Sequence, residues 1–249
     1  MFTWLFKRRV VSFAAAVLVL IALNTVAPLT AQPNAAAPPA RPLRIGIIGA
    51  GNMGGPLGVT WAKAGHQVLW ASRNPAELMP LVQQAAPRAS AGYADAAAFF
   101  GDVVVLAVPP NAVPQLGQEI GSLLRGKLVI DMTNPRADRD GEEQTERWLE
   151  MGTGLAMAQY LPGARVVKAF NALGAPMLRD PAPGGVRIGV PIAGDSAEDR
   201  ERVATLVRDA GFEPVIVGPL ARAKEFDRGT PVWVKGMNAQ QLREALGLR

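Results

Sequence analysis

The chain has 249 residues, of which 49% are hydrophobic and 19% charged, and it contains no cysteine. These totals exclude bulk disorder, disulfides, thiolate metal sites and a cysteine nucleophile, and leave room for one sizeable core after an atypical first forty residues. The net charge of +5 includes Lys7, Arg8 and Arg9 of that leader; removing it leaves +2 with no basic stripe interleaved with aromatics, so a nucleic-acid partner is disfavoured.

Met1 to Arg9 is a short basic region, and Val10 to Leu23 is almost continuously apolar. Small and polar residues follow at Thr30-Ala31-Gln32 and Ala35-Ala36-Ala37, where a signal peptidase can cut. Residues 1–31 therefore read as a signal peptide or, if uncleaved, as a membrane anchor whose apolar character reaches Leu29, interrupted by Asn24 and Pro28. Either reading keeps the basic flank inside, so the protein is expected to be exported (periplasmic or otherwise extracytoplasmic) or tethered to the membrane by this segment alone. Arg8-Arg9 also admits the twin-arginine route, although Lys7 precedes the pair and Val11 stands where that signal usually has Phe. Residues 32–42, with prolines at 33, 38, 39 and 42, form a stiff solvated tether.

From Leu43 onward, short β-branched runs alternate with helical patterns, the signature of βαβ units. The expected fold class is α/β: a Rossmann-type, doubly wound, mostly parallel sheet in a single domain. Its nucleotide-binding part spans residues 43–220, completed by a C-terminal tail over 221–249. Strands are expected at 43–49, 67–71, 102–108, 127–131, 165–170, 186–193 and 213–217. Runs such as Val103-Val104-Val105-Leu106 are apolar throughout, as strands covered on both faces should be. Met53, Leu57, Trp61 and Ala64 repeat at helical spacing, as do Val203, Leu206, Val207 and Ala210, with Gly65 and Gly211 placed to stop the two helices. Past Leu220 only a turn or two of amphipathic helix is expected, over Asn238 to Leu246.

Gly49-Ala50-Gly51-Asn52-Met53-Gly54 is a G-x-G-x-x-G that follows a strand and opens a helix, the context in which this pattern specifies a dinucleotide. The first glycine permits a tight turn, the second lets backbone approach a pyrophosphate, and the third allows helix and strand to pack closely. The next strand ends in Ser72-Arg73-Asn74, with no carboxylate between positions 69 and 74 to hold the ribose hydroxyls of NAD. A hydroxyl and a guanidinium there suit a 2′-phosphate, so NADP is expected over NAD.

Several chemistries lack their residues. The single histidine, His66, falls in a turn at the amino end of the strands, away from where ligands bind. Tyr93 and Tyr160 each have alanine four residues later, so a Tyr-x-x-x-Lys pair is absent. No protein side chain is assigned a catalytic role and no metal site is expected. This suits hydride transfer between two redox-active molecules that the protein mainly positions.

These stretches resemble the bacterial branch of the NADPH-dependent coenzyme F420 reductase family, the deazaflavin-linked NADP oxidoreductases, whose domain also occurs in eukaryotic membrane metalloreductases. The likeness is carried by Ile47 to Gly54, Ala71 to Asn74, Val104 to Pro109, Ile130 to Pro135, Pro162 to Asn171 and Val215 to Pro219, with Val166-Val167-Lys168-Ala169-Phe170-Asn171 the most distinctive block. The resemblance implies that Gly51, Asn52 and Met53 meet the pyrophosphate and Ser72 and Arg73 the 2′-phosphate. It implies further that Val108-Pro109 flank the nicotinamide, that Lys168 and Asn171 fall near the second cofactor, and that Gly174-Ala175 bring backbone close to a ring. The implied acceptor is a small redox-active molecule, coenzyme F420 or a flavin. Family members are typically cytoplasmic, unlike a chain with a leader. Two other readings stay open: an NADPH-dependent reductase of a small carbonyl or imine, resembling pyrroline-carboxylate reductases, and a non-catalytic nucleotide-binding module of the envelope. A homodimer is also left open.

Overall fold

In the computed structural model the described residues are 42–248, and they belong to one compact unit, Ala40–Arg249. The expectations for residues 1–31 and for most of the 32–42 tether lie outside the described residues. Among the described residues no helix is long and apolar enough to cross a membrane.

The first half alternates strands and helices: β1 (Arg44–Ile48), α1 (Gly54–Lys63), β2 (Gln67–Ala71), α2 (Met79–Ala85), β3 (Ala89–Gly92), α3 (Ala94–Phe100), β4 (Val103–Leu106), α4 (Val113–Leu124) and β5 (Leu128–Asp131). The second half continues with α5 (Ala137–Asp140), α6 (Glu142–Met151), α7 (Thr153–Ala158), β6 (Arg165–Lys168), β7 (Gly189–Gly194), α8 (Ala197–Asp209), β8 (Glu213–Gly218) and α9 (Ala239–Ala245). All eight strands form one sheet in the order β3-β2-β1-β4-β5-β6-β7-β8. The chain order reverses between β1 and β4, which opens a crevice at their carboxyl ends, the switch point where doubly wound sheets bind ligands. The α/β, Rossmann-type, mostly parallel sheet is thus the observed fold.

Alternation along the strands explains the all-apolar runs. Val103 and Val105 join Ile45, Ile47, Trp61 and Leu206 on one face, while Val104 and Leu106 join Ile120, Val129 and Trp148 on the other. Period-two geometry sends neighbouring side chains to opposite layers, and both layers here are helix-covered. Trp61 of α1 donates its indole N–H to the Leu206 carbonyl of α8 at 2.8 Å and meets Phe170 edge-on at 5.7 Å, which ties the two helices over the sheet. Gly65 and Gly211 adopt φ of +107° and +89°, the left-handed conformation that lets each helix end and the chain turn back.

The structure corrects several boundaries. β3 has no counterpart in the expected strands, because Ala-Ser-Ala-Gly carries no β-branched or aromatic residue; it forms by pairing with β2 alone, as the sheet edge. The strand expected over 165–170 ends at Lys168, since Phe170 has φ of +63° and turns the chain out of the sheet. The strand expected over 186–193 begins at Gly189, and it pairs antiparallel to β6 but parallel to β8. The segment after Leu220 buries Leu220, Ala223, Phe226 and Leu242, and Asn238 closes a reciprocal cap with Gln241 at the start of α9. His66 is more than a turn residue. It is buried, accepts the Leu43 N–H on Nδ1 at 3.1 Å and lies 3.0 Å through Nε2 from Asp209, clamping the start of β1 to the end of α8.

Candidate functional site

The Gly49–Gly54 loop lies between β1 and α1 at the switch point. Gly49 has φ of +104°, and a Cβ there would sit 2.4 Å from the Ala107 carbonyl oxygen. A Cβ on Gly54 would come within 2.1 Å of the Gly49 carbonyl oxygen, so helix and strand approach only because this residue is glycine. Gly51 is different: its φ is not positive, and a Cβ would meet nothing within 4 Å. Neither conformation nor packing requires glycine there, and the remaining reason is room for something to lie against the backbone. The amides of Ala50, Gly51, Asn52 and Met53 donate no hydrogen bond among the described residues. Together with the amino end of α1 they form a donor-rich cradle suited to a pyrophosphate.

Beside the loop a cavity of about 790 Å³ extends over the carboxyl ends of β1, β2 and β4, floored by Ile48 and Ala71 and reaching Val108 and Pro109. Ser72 and Arg73 line it at the end of β2. Ser72 Oγ accepts the Asn74 N–H at 3.0 Å, which shapes the turn and leaves the hydroxyl proton available. Arg73 is exposed and makes no ion pair or side-chain hydrogen bond among the described residues. A free guanidinium beside a hydroxyl, with the pyrophosphate cradle next door, is the donor set a 2′-phosphate needs. The residues therefore fit an NADP molecule along Gly49–Gly54, Ser72 and Arg73.

Past β5 and β6 the expected residues take other roles. Lys168 is fully buried. Its ammonium lies 2.9 Å from Asp131 Oδ2, donates to the Thr133 carbonyl at 2.6 Å, and has Thr133 Oγ1 at 3.4 Å. All three donors are committed inside the protein at the ends of β5 and β6, where the resemblance implies a second cofactor nearby. Asn171 is also buried; its Nδ2 donates to the Phe226 carbonyl at 3.2 Å, and its own carbonyl accepts from Asn134 Nδ2 at 2.7 Å and Trp233 Nε1 at 3.1 Å. It joins three chain segments. Ala175 opens a short 3₁₀ turn, Ala175–Leu178. Lys168, Asn171 and Ala175 do not line the cavity that holds Ser72 and Arg73.

Sequence reasoning did not single out the partners of Lys168. A lysine inside the apolar run Val166 to Phe170 signals a buried charge that needs a carboxylate, and Asp131 stands directly opposite it in the β5–β6 register. Asp227 is a second buried carboxylate nearby, accepting from the Thr153 amide at 2.8 Å and from the Thr153 hydroxyl. Burial pushes the Asp227 carboxyl above its ordinary value, against the pull of Lys168 and the Thr153 bonds. No local pattern announces Asp227, because its partners lie far away in the chain. Tyr93 lines the cavity and is exposed, a placement no local sequence pattern announces.

Comparison with known proteins fits this geometry. The family described as NADP oxidoreductase, coenzyme F420-dependent, matches residues 44–135. A hypothetical protein from Sinorhizobium meliloti is similar at 30% identity and a TM-score of 0.65, over 79% of this chain and 94% of that one. A structure from Arthrobacter sp. FB24, described as an F420-dependent NADP-reductase, is similar at 25% identity and a TM-score of 0.59, over 83% of this chain and 96% of that one. Metalloreductase STEAP3 of Rattus norvegicus is 29% identical over 197 residues, which cover 76% of this chain and 38% of the relative. The chain thus spans well under half the length of such curated relatives.

Proposed function

The chain belongs to the family of coenzyme F420-dependent NADP oxidoreductases and is by that membership an NADP-dependent oxidoreductase, and we propose that it transfers hydride between NADPH and a deazaflavin or flavin acceptor. The observation that carries this reading is Arg73 at the end of β2, without an ion-pair partner among the described residues, next to Ser72 and to loop amides of Gly49–Gly54 that are unbonded among the same residues. When bound, NADPH supplies the hydride. The protein's own part is to hold the phosphates, to present the nicotinamide past Val108-Pro109, and to keep the carboxyl ends of β5 and β6 together through the Lys168–Asp131 pair. Acid–base assistance is not called for, because a deazaflavin or flavin accepts hydride at its own ring.

Two measurements test the proposal. Full-length protein with NADPH should lose nicotinamide absorbance at 340 nm when a deazaflavin or FMN is added; no oxidation with either acceptor overturns the acceptor assignment. Arg73→Ala should weaken NADPH binding by about 10- to 100-fold, the worth of charge-assisted bonds to a phosphate, and leave NADH binding nearly unchanged. Equal losses for both nucleotides refute the NADP assignment.

The leader adds a proposal about place: residues 1–31 direct the folded domain out of the cytoplasm or hold it at the membrane. The mass of the protein recovered from its native cells decides this, since a chain beginning near residue 32 reports cleavage and an intact chain in the membrane fraction reports tethering. An intact chain in the cytosol removes the idea.

A further inference from the structure

The parallel strands β1 to β5 all begin at one end of the sheet, opposite the cavity. That end carries the most exposed large hydrophobic side chain among the described residues: Phe99, in the last turn of α3, is 76% exposed. Its mount is rigid. The Lys127 ammonium, just before β5, donates to the carbonyls of Ala98, Phe99 and Gly101 at 2.6, 3.0 and 2.8 Å and so closes the end of α3. Basic side chains share this end: Lys63 finishes α1, Arg88 precedes β3 and Arg125 follows α4, all exposed and without an ion pair among the described residues. Arg88 lines one shallow hollow with Phe100. Carboxylates here are already engaged, Asp102 with Arg44 at 2.6 Å and Asp209 with His66 at 3.0 Å. The chain also enters the fold at this place, since Arg44 opens β1 and its carbonyl accepts the N–H of Asp102, three residues after Phe99, at 2.8 Å.

We propose that this end of the domain docks on an anionic lipid surface, with Phe99 in the boundary between headgroups and acyl chains and Lys63, Arg88 and Arg125 over the headgroups. The inference rests on the tethering form of the leader reading above. A ring ringed by cations is what such a surface binds: the ring enters the boundary, and each cation near anionic headgroups adds attraction. Charge also decides between lipid and a second copy of the chain, because a two-fold contact through this face would set the same cations against each other. Residues 32–42, read above as a stiff tether, reach about 30 Å when extended. A tether of that reach keeps the lipid at high effective concentration, so a few contacts suffice. Docked this way, the domain holds its cavity away from the membrane, open to soluble nucleotide.

The chain has no cysteine, so a single introduced one takes a fluorescent label at a known place. Full-length Gln67→Cys reports on this end, since Gln67 is exposed and pairs with Arg44; full-length Met79→Cys, exposed beyond the other end of β2, is the reference. Each is incorporated into vesicles of phosphatidylcholine and phosphatidylglycerol that contain brominated phosphatidylcholine as quencher. Quenching is expected at residue 67 and not at residue 79. Arg88→Gln and Arg125→Gln should lower the docked-to-undocked ratio by about fivefold for each cation removed. Phe99→Asp should release residue 67 from the quencher while the protein still floats with the vesicles. Floating protein with no quenching at residue 67, or with equal quenching at both residues, overturns docking and leaves the tethering reading intact. Protein that does not float overturns the two together. A signal at residue 67 that follows protein concentration and needs no lipid assigns the face to a second copy and overturns the lipid proposal.

Discussion

At the scale of single residues, the three glycines of the phosphate loop separate into different physical duties. Gly54→Ala should destabilise the protein by about 1–3 kcal/mol, because its Cβ has nowhere to go against the Gly49 carbonyl. Gly51→Ala should leave the unfolding free energy within about 0.5 kcal/mol of the parent's, since its Cβ enters open space, yet weaken NADPH binding. Equal stability losses in the two variants would show that Gly51 is glycine for structural reasons. Asp227 makes a prediction with a definite sign. Its carboxyl holds a proton above the ordinary value in the folded state, so its contribution to stability is full below the unfolded carboxylate value of about 3.9 and is lost as pH rises through the folded value. Asp102, held low by its bonds to Arg44, acts in the opposite direction, its contribution fading as pH falls. Urea midpoints followed upward from about pH 4 should decline less in Asp227→Asn than in the parent; identical pH profiles would rule out the role of Asp227.

At the scale of elements, the pairing of β5 with β6 fixes the strand ends over which the nicotinamide half of the cofactor is proposed to lie. Lys168 and Asp131 face each other in that register, both with fully buried side chains. Burying two charges is expensive, and removing one is worse than removing both. Lys168→Met should destabilise by about 3–5 kcal/mol, leaving Asp131 uncompensated, whereas Lys168→Met with Asp131→Leu should recover much of the loss. The recovery should stay incomplete because Asp131 Oδ1 also accepts the Thr133 N–H at 2.8 Å. A double variant less stable than the single one would show that the pair stabilises the fold beyond compensating its own burial. Beyond β6, Phe170 and Val234 both take positive φ, at +63° and +53°. The Val234 N–H bonds the Ala172 carbonyl at 3.0 Å, which ties that unfavourable backbone to the segment after β6.

At the scale of the whole molecule, the compact unit beginning at Ala40 contains the glycine loop, the cavity and both core layers. A chain starting at residue 43 should therefore unfold in one cooperative urea transition and bind NADPH as the full chain does. A broadened or lost transition would show that the leader is part of the fold. The same scale explains why the cavity lies where it does. Strands β2 and β4 flank β1 in the sheet but follow it in opposite directions of winding, so the helices after them lie on opposite faces and leave the crevice open between.

The β1–loop–α1 unit, the place of Ser72-Arg73 at the end of β2 and most of the parallel strands are legible in the sequence. Each rests on local patterning: glycine spacing, the residues ending a strand, or apolar runs of strand length. Edge strand β3, the reversed direction of β7 and β8, and the internal role of Lys168 were decided by tertiary structure. Ala89–Gly92 pairs because β2 has a free edge, not because its residues favour a strand. Lys168 turns inward because Asp131, 37 residues earlier, is its register partner, and Asp227 approaches from later still. Through these long-range contacts the Lys168 charge becomes part of the interior, because in a low-dielectric interior a charge must follow its partner.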